Sequence, residues 1–277
     1  MLPCSYLFVP ASHPQRFAKA LATPAGAVIV DLEDAVAGPA KPAARDALVA
    51  AAPSLAPHGE RVWLRLNARD SAHFAADVEL LRALRPLLPQ LGIVLPKAEA
   101  ADDVRALRAA CPGTSVAALI ESARGLDHAR TIAQTEGVTR LVFGSIDYAL
   151  DLGGLDADDA EAMLYARSTL VFVSRLAGLP APADGVTTAI DDAAKLEADA
   201  ARARRLGFGA KLCIHPRQVE TVEAAFRPTS AELAWARRIV AASRAAGEGV
   251  VQLDGAMVDR PVVLRAERLL AAAGEQP

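Results

Sequence analysis

Two short apolar runs, Ala117-Ala118-Leu119-Ile120-Glu121-Ser122 and Leu141-Val142-Phe143-Gly144-Ser145-Ile146-Asp147, decide the fold. Each run ends abruptly in an acid, which is typical of a buried parallel strand whose carboxyl end opens onto a site. Carboxylates at the ends of consecutive strands converge, and two such groups with water in the remaining positions are how Mg²⁺ is usually held. The pattern therefore favours a magnesium site at Glu121 and Asp147. The alternative is that each acid only caps the helix that follows it.

The same pattern, an apolar strand followed by a helix, recurs along the chain, and we predict eight such units. Besides the two runs above, the predicted strands are Ser5–Val9, Ala27–Val30, Arg61–Leu66, Leu91–Leu95, Pro180–Gly185 and Ala210–Ile214. This alternation predicts an α/β fold, a (β/α)8 TIM barrel, whose active site lies at the carboxyl ends of the strands. An open doubly wound sheet is the alternative, but the sequence lacks both the G-x-G-x-x-G and the G-x-x-x-x-G-K-[ST] phosphate loop.

The chain continues well beyond the eighth predicted strand, with helical patterns up to its end. We predict the barrel over residues 1–225 and a helical extension or lid over residues 226–277, as part of the same domain. This surplus is longer than a closing helix needs. We therefore expect it to dock on a neighbouring subunit, where the turn 254–259 could reach a site.

Composition and charge exclude several classes of protein. The net charge of −3 and the pI near 6.0 argue against a nucleic-acid-binding protein, which would need a basic face. No apolar run is long enough to span a membrane, and the first residues do not resemble a signal peptide. Cys4, Cys111 and Cys213 are odd in number and lack metal-type spacing, which favours free thiols in a reducing, cytoplasmic compartment.

A set of short motifs, spread over the whole chain, occurs in the order seen in a known family. The motifs are Leu7-Phe8-Val9-Pro10, Val30-Asp31-Leu32-Glu33-Asp34-Ala35-Val36 with Lys41 and Arg45 beyond it, Arg65-Leu66-Asn67, Leu95-Pro96-Lys97, Ile120-Glu121-Ser122, Phe143-Gly144, Asp147, Tyr165-Ala166-Arg167-Ser168, Ile214-His215-Pro216 and Met257-Val258-Asp259. With these motifs the chain resembles citrate lyase β-subunit-like proteins of the HpcH/HpaI aldolase/citrate lyase family. As a set they are highly specific.

The resemblance implies a Mg²⁺-dependent barrel enzyme that acts on carbon–carbon bonds of β-hydroxyacyl-CoA thioesters, releasing a ketoacid and an acyl-CoA. It further implies that Glu121 and Asp147 are the metal ligands and contact substrate, and that Arg65 binds the substrate carboxylate. Glu33 and Asp34 would then be acids that hold metal-bound waters.

The resemblance also implies that the backbone amides from Gly144 through Ser145 to Asp147 lie near the carboxylate of the ketoacid. Asp259 matches an acid that relatives deliver from an adjacent subunit of a homotrimer or of a dimer of trimers. Many members carry an arginine where this chain has Cys4, so the chain departs from the family pattern at a position that could contact the phosphates of the cofactor.

Several alternatives stay open from the sequence. The chain could be the lyase subunit of a citrate lyase complex acting on an acyl-carrier-protein thioester, a class II aldolase acting on 2-keto-3-deoxy acids, or a non-catalytic sensor of a ketoacid or CoA ester. Lys97 could contact substrate or pair with Glu99 or Glu33. His215, followed by Pro216 at a strand–helix junction, is interpreted as a structural imidazole. The acyl group cannot be chosen from the sequence.

Overall fold

The computed structural model describes residues 3–246 and 251–275, and the chain divides into two compact units, Met1–Glu223 and Ala224–Pro277. The assignment of both units to one domain, and docking on a neighbouring subunit, stay predictions.

The first unit contains a closed barrel of parallel strands in sequence order, in which each strand pairs with the next and the first pairs with the last. The strands are β1 (Ser5–Pro10), β2 (Ala27–Asp31), β3 (Val62–Arg65), β4 (Gly92–Leu95), β5 (Val116–Ile120), β6 (Val138–Phe143), β7 (Ala183–Asp184) and β8 (Ala210–Cys213). The predicted (β/α)8 barrel is confirmed. The run at 180–185 contains two prolines and forms only a two-residue strand, because proline cannot donate to a sheet ladder.

Helices surround the strands and continue into the second unit. They are α1 (Phe17–Leu21), α2 (Lys41–Leu55), α3 (Phe74–Leu84), α4 (Ala101–Ala110), α5 (Ala123–Asp127), α6 (Ala129–Ala133), α7 (Ser145–Asp151), α8 (Leu164–Leu176), α9 (Ala193–Leu206), α10 (Val219–Phe226), α11 (Ser230–Ala246) and α12 (Arg260–Ala272). None of the described helices is both long and apolar enough to cross a membrane.

The strands are buried on both faces, as parallel strands covered by helices must be. Every residue of β2, β4, β5 and β8 is buried. Alternate residues point into the barrel, where Leu119, Val142 and Leu212 belong to one apolar cluster. The interior is therefore a packed core whose upper end is the floor of the site described below.

The opposite end of the barrel is held by a buried arginine. Arg140 on β6 is 3% exposed, and its Nη1 donates to the carbonyl of Pro3 at 2.7 Å and to the Tyr6 hydroxyl at 3.1 Å. Its Nε donates to the carbonyl of Ala181 at 2.8 Å. These bonds satisfy the donors of a charge that would otherwise be costly to bury. They also join three separated parts of the chain at the amino end of the strands.

The second unit has its own small core. Helices α11 and α12 pack around Ile239, Val240 and Leu270, together with Val258 of the hairpin formed by β9 (Val251–Leu253) and β10 (Ala256–Val258). Asp259 begins α12, and its Oδ1 accepts the backbone N–H of Val262 at 3.2 Å. The carboxylate for which the resemblance implies a role in a neighbouring subunit therefore caps a helix in its own unit.

Candidate active site

Within the first unit, the acids and Arg65 expected from the sequence lie at the carboxyl ends of the strands; Asp259 belongs to the second unit. Arg65 is the last residue of β3, Glu121 directly follows β5, and Asp147 lies in the first turn of α7 after β6. A cavity of about 430 Å³ opens at this end of the barrel. Its lining includes Asp31, Asp34, Arg65, Glu121, Gly144, Ser145 and Asp147, over apolar side chains that include Phe8, Leu119, Val186 and Leu212.

The alternative that Glu121 and Asp147 cap helices is wrong. Helix α5 is capped by Ser122, whose Oγ accepts the backbone N–H of Gly125 at 3.1 Å. Helix α7 begins after Gly144, and Asp147 lies inside its first turn. Both carboxylates are thus available to the cavity.

Arg65 is clamped by acids from β2 and the loop after it. Its Nε and Nη2 donate to Oδ1 and Oδ2 of Asp31, both at 2.7 Å, because the strand register sets Asp31 beside Arg65. Its Nη1 lies 2.8 Å from Oε2 of Glu33 and 3.6 Å from Oδ2 of Asp34, and its guanidinium stacks on the ring of Phe8 at 4.8 Å. Burial alone would lower the pKa of Arg65, but the bonds to Asp31 and the neighbouring negative charges raise it. Arg65 therefore stays a rigid, permanent cation at the cavity wall.

Asp31 was not among the predicted site residues. Besides holding Arg65, its carboxylate accepts the backbone N–H groups of Glu33 at 2.9 Å and Ala35 at 3.1 Å. It therefore shapes the loop that carries Glu33 and Asp34. The signal available in the sequence was its place as the last residue of an apolar run, the same signal that identified Glu121.

Glu121 is 4% exposed and held on both sides. Its Oε1 accepts the backbone N–H of Lys97 at 2.8 Å, and its Oε2 lies against the backbone of Gly144, where any Cβ would collide with it. Burial, and then the charges of Glu33 and Asp147, raise the pKa of Glu121 to about 8. Because of the collision with a Cβ, only a glycine at position 144 allows the Glu121 carboxylate to approach the backbone this closely.

Glu33 and Asp34 differ in their surroundings. Glu33 is 7% exposed, and although Arg65 Nη1 is 2.8 Å from its Oε2, the geometry is not that of a hydrogen bond, so this buried oxygen has no donor among the described residues. Burial raises the pKa of Glu33 to about 7, with Arg65 opposing and Asp34 and Asp31 adding to the shift. The carboxylate of Asp34, in contrast, is 64% exposed. The structure brings both acids to Arg65, and their implied role in holding metal-bound waters stays a prediction.

The carboxylates of this site fit a hard divalent cation. Glu121 and Asp147 offer oxygen ligands, and their mutual repulsion in a buried setting would be relieved by a cation. Among the described residues no group of three or more His, Cys, Asp or Glu side chains could hold a metal ion. The protein would therefore supply two ligands and leave the other positions to water or substrate, which is the usual arrangement for Mg²⁺.

A buried lysine fixes the loop of Glu33. Lys41 at the start of α2 donates from Nζ to the carbonyls of Leu32 at 2.7 Å and Glu33 at 2.8 Å, and to Oδ1 of Asn67 at 2.5 Å. Asn67 in turn donates to Asp77, which accepts a bond from Arg45 at 2.7 Å. The motif residues Lys41, Arg45 and Asn67 thus hold the loop rather than face the cavity.

Ser145, which follows β6, is contacted by a residue that follows the neighbouring strand β7. It is 3% exposed, and Gly185 after β7 packs so closely on its Oγ that a Cβ at position 185 would collide with it. The carbonyl of Gly185 accepts a bond at 2.7 Å from Nζ of Lys211 on β8. Lys211 therefore fixes Gly185, which packs against Ser145, and Asp184, the residue before Gly185, is held by buried Arg167 at 3.0 Å.

The structure also places His215 and Lys97, the two further residues whose roles were discussed from the sequence. His215 caps a short 3₁₀ helix, and its Nδ1 accepts the backbone N–H of Arg217 at 3.2 Å. This agrees with the interpretation of His215 as a structural imidazole. Lys97 places Nζ 4.0 Å from Oε1 of Glu33, while Glu99 accepts instead from the Ser122 hydroxyl.

Comparison with known proteins agrees with this geometry. The sequence model of HpcH/HpaI aldolase/citrate lyase matches residues 4–216, which is most of the chain. The chain belongs to this family. As a member it is an enzyme, a carbon–carbon lyase.

Its relatives carry related names. A citrate lyase subunit beta-like protein of Mycobacterium tuberculosis is 40% identical, with 98% of this chain and 95% of that protein covered. A (3S)-malyl-CoA thioesterase of Cereibacter sphaeroides is 34% identical, with coverages of 97% and 94%. A crystal structure of protein CitE from M. tuberculosis in complex with magnesium, acetoacetate and coenzyme A superposes with a TM-score of 0.85 at 38% identity, covering 99% of this chain and 98% of that chain.

Proposed function

We propose that the chain is a stand-alone Mg²⁺-dependent lyase that cleaves a short β-hydroxyacyl-CoA thioester of the malyl, citramalyl or citryl type into a ketoacid and an acyl-CoA. The observation that carries the proposal is the pair of Glu121 and Asp147 in one cavity with Arg65. It is supported by relatives whose structures hold magnesium with ketoacids, including pyruvate, and with coenzyme A.

In this proposal Glu121 and Asp147 hold Mg²⁺, and Glu33 and Asp34 hold its waters. The ion supplies Lewis-acid chemistry beside the carboxylate and carbonyl of the ketoacid when it is bound. Oxygen ligands that are already rigid, through the bond from Lys97 to Glu121 and the contact with Gly144, need little reorganisation to bind it.

Arg65 binds the substrate carboxylate. A guanidinium has five N–H donors, and the bonds to Asp31 use two of them, so donors remain on Nη1 and Nη2 for a second carboxylate. The clamp by Asp31 fixes the direction of these donors before substrate arrives. The backbone amides of Ser145 and Asp147, in the first turn of α7, contribute further donors to the same carboxylate, whereas the N–H of Gly144 already donates to the carbonyl of Ile120 at 3.0 Å.

A general acid and base must move the proton of the β-hydroxyl group and protonate the carbon released from the broken bond. We assign this to Asp259 of a neighbouring copy in a homotrimer or dimer of trimers. In its own unit the carboxylate of Asp259 accepts a single backbone N–H at 3.2 Å, which leaves oxygen lone pairs for a proton.

The test uses the purified protein with Mg²⁺ and malyl-, citramalyl- and citryl-CoA. Release of the ketoacid and of acetyl-CoA is measured for the wild type, for Glu121→Ala and for the exposed control Glu79→Ala. We expect turnover that requires Mg²⁺ in the wild type and in the control, with loss in Glu121→Ala. No turnover of any thioester, with Glu121→Ala indistinguishable from wild type, would refute the proposal.

Thioester hydrolysis is a second candidate, because a relative at 34% identity is a (3S)-malyl-CoA thioesterase. The same assay distinguishes it, since hydrolysis releases free CoA and a β-hydroxy acid instead of acetyl-CoA and a ketoacid. Turnover of an acyl-carrier-protein thioester but not of CoA thioesters would favour the citrate lyase subunit. Turnover of 2-keto-3-deoxy acids would favour the aldolase, and tight binding without turnover would favour a sensor.

A further inference from the structure

Lys97 has a backbone conformation that is unusual for a side-chain-bearing residue. Its φ is +47°, and Asp254 is the only other non-glycine residue with a positive φ in the parts of the chain that the structure describes. Such conformations persist only where the surroundings hold them, and they concentrate at functional sites. Two bonds hold this one, from the N–H of Lys97 to Glu121 at 2.8 Å and from the N–H of Ala98 to the carbonyl of Leu119 at 3.1 Å.

In this left-handed conformation the backbone N–H and the side chain of Lys97 face different groups of the site. Its N–H points at one oxygen of the candidate metal ligand Glu121, while its side chain extends over the acids of the site. The side chain is 47% exposed, and its Nζ lies 4.0 Å from Oε1 of Glu33, beyond hydrogen-bond distance. Within the described residues Nζ donates no hydrogen bond, so its three N–H donors can bind a ligand.

Lys97 also lies between the site and open surface. It lines a recess of about 260 Å³ together with Glu121 and Asp147, and a second recess of about 590 Å³ together with Arg69, which opens outward. A molecule that reaches from the two carboxylates to the outer recess would pass the ammonium group. A ketoacid bound at one end of a longer thioester has this form.

The chemistry of the proposed function leaves one charge without a partner. Loss of the hydroxyl proton places negative charge on the β-oxygen, on the side that becomes the ketoacid, and breaking the carbon–carbon bond then moves that charge to the thioester oxygen as an enolate. Arg65 is already held by Asp31 and Glu33. An ammonium with unused donors, placed before substrate arrives, can donate a charge-assisted hydrogen bond to an enolate oxygen.

From this geometry we propose that Lys97 is a catalytic residue that donates a hydrogen bond from Nζ to the thioester oxygen of the substrate and of its enolate. The inference rests on the proposed function. The β-hydroxyl loses its proton to a base, the electrons of that O–H bond form the ketoacid carbonyl, and the electron pair of the broken C–C bond moves into the enolate. Lys97 keeps its proton throughout, and a separate acid protonates the α-carbon to give the acyl thioester.

The experiment compares three variants at one position. Lys97→Met keeps the length of the stem and removes the charge, Lys97→Arg restores a charge, and Lys97→Gly removes the side chain but accepts a positive φ, so that the N–H bond to Glu121 is kept. Arg105→Met is the matched control, since Arg105 on α4 is an exposed cation, with a side chain that is 66% exposed, and lines neither of the two recesses.

We expect Lys97→Met and Lys97→Gly each to lower kcat about 100-fold, Lys97→Arg to recover at least part of the loss, and Arg105→Met to keep wild-type kcat. Calorimetry supplies a readout apart from turnover. An acetyl-CoA analogue with a carboxylate in place of the thioester mimics the enolate, and Lys97→Met should weaken its binding at least about 10-fold while pyruvate with Mg²⁺ binds as in the wild type.

Two results would overturn the inference while the proposed function stands. One is turnover by the wild type with kcat of Lys97→Met within about threefold of it. The other is equal loss of pyruvate binding and of analogue binding in Lys97→Met and Lys97→Gly, which would mean that the residue only maintains the site. Absence of turnover in the wild type itself refutes the proposed function, and the inference with it.

Discussion

Replacing Glu121 by glutamine should stabilise the metal-free barrel and abolish its response to Mg²⁺. The change keeps the shape of the side chain and an oxygen that can accept the N–H of Lys97. It removes a negative charge that is 4% exposed and stands near Glu33 and Asp147. Functional carboxylates of this kind lower the stability of the protein that carries them.

The size of the effect follows from the raised pKa. In the unfolded chain the carboxyl group has its ordinary pKa of 4.5, and in the folded protein it is about 8, so the folded state binds the proton more tightly. The stability of the metal-free protein therefore falls as the pH rises from about 4.5 to about 8 and then levels off. At pH 7.5 the loss amounts to roughly 2–4 kcal/mol after allowance for relaxation of the site.

The assay is urea unfolding of the metal-free protein at pH 5, 6, 7 and 8, followed by tryptophan fluorescence. The chain has two tryptophans, and a Trp235→Phe background leaves Trp63 on β3 as the reporter of the barrel. Glu121→Gln should flatten the pH dependence and gain stability at pH 7.5, and Mg²⁺ should stabilise only the parent. Glu79→Gln, an exposed change on α3, should match the parent throughout.

The reasoning would be refuted if Glu121→Gln left the pH dependence of the parent unchanged. It would be refuted as well if Mg²⁺ stabilised the variant and the parent equally, since Glu121 would then not bind the ion.

Four further changes test other parts of the structure. Gly144→Ala should weaken Mg²⁺ binding measured by calorimetry far more than it lowers stability, because its Cβ would collide with the Glu121 carboxylate; equal binding would contradict that contact. Lys41→Met leaves two backbone carbonyls without their buried donor and should cost roughly 2–4 kcal/mol in urea unfolding, with Lys41→Arg milder. Arg140→Met should cost a similar roughly 2–4 kcal/mol but leave Mg²⁺ affinity unchanged, because its bonds lie at the far end of the barrel; a change in affinity would show coupling between the ends. Burial raises the pKa of the Cys213 thiol to about 12, so thiolate is suppressed at pH 8, and mass spectrometry after iodoacetamide treatment of the folded protein should find it unmodified.

Much of the site could be predicted from the order of residue types along the sequence. An apolar run that ends in an acid indicates the carboxyl end of a buried strand, and parallel strands bring their carboxyl ends together. Glu121 and Asp147 could therefore be assigned to one cavity without coordinates. The same signal is present at Asp31, which ends the second apolar run two residues before Glu33. The role of Asp259 stays a prediction, since the structure describes its unit by itself.

By itself the sequence determined the barrel, the end of the barrel that carries the chemistry, and the types of side chain found there, because strand periodicity and strand-end residues are local properties. Only the tertiary structure decided which groups restrain which. The clamp of Asp31 on Arg65 depends on strand register, the contact of Gly144 with Glu121 on the spacing of β5 and β6, and the direction of the Lys97 N–H on a single backbone angle. These are distances between residues far apart in the chain, and hydrophobic pattern carries no information about them. The same two carboxylates that the pattern marks become a rigid candidate metal site only through those contacts.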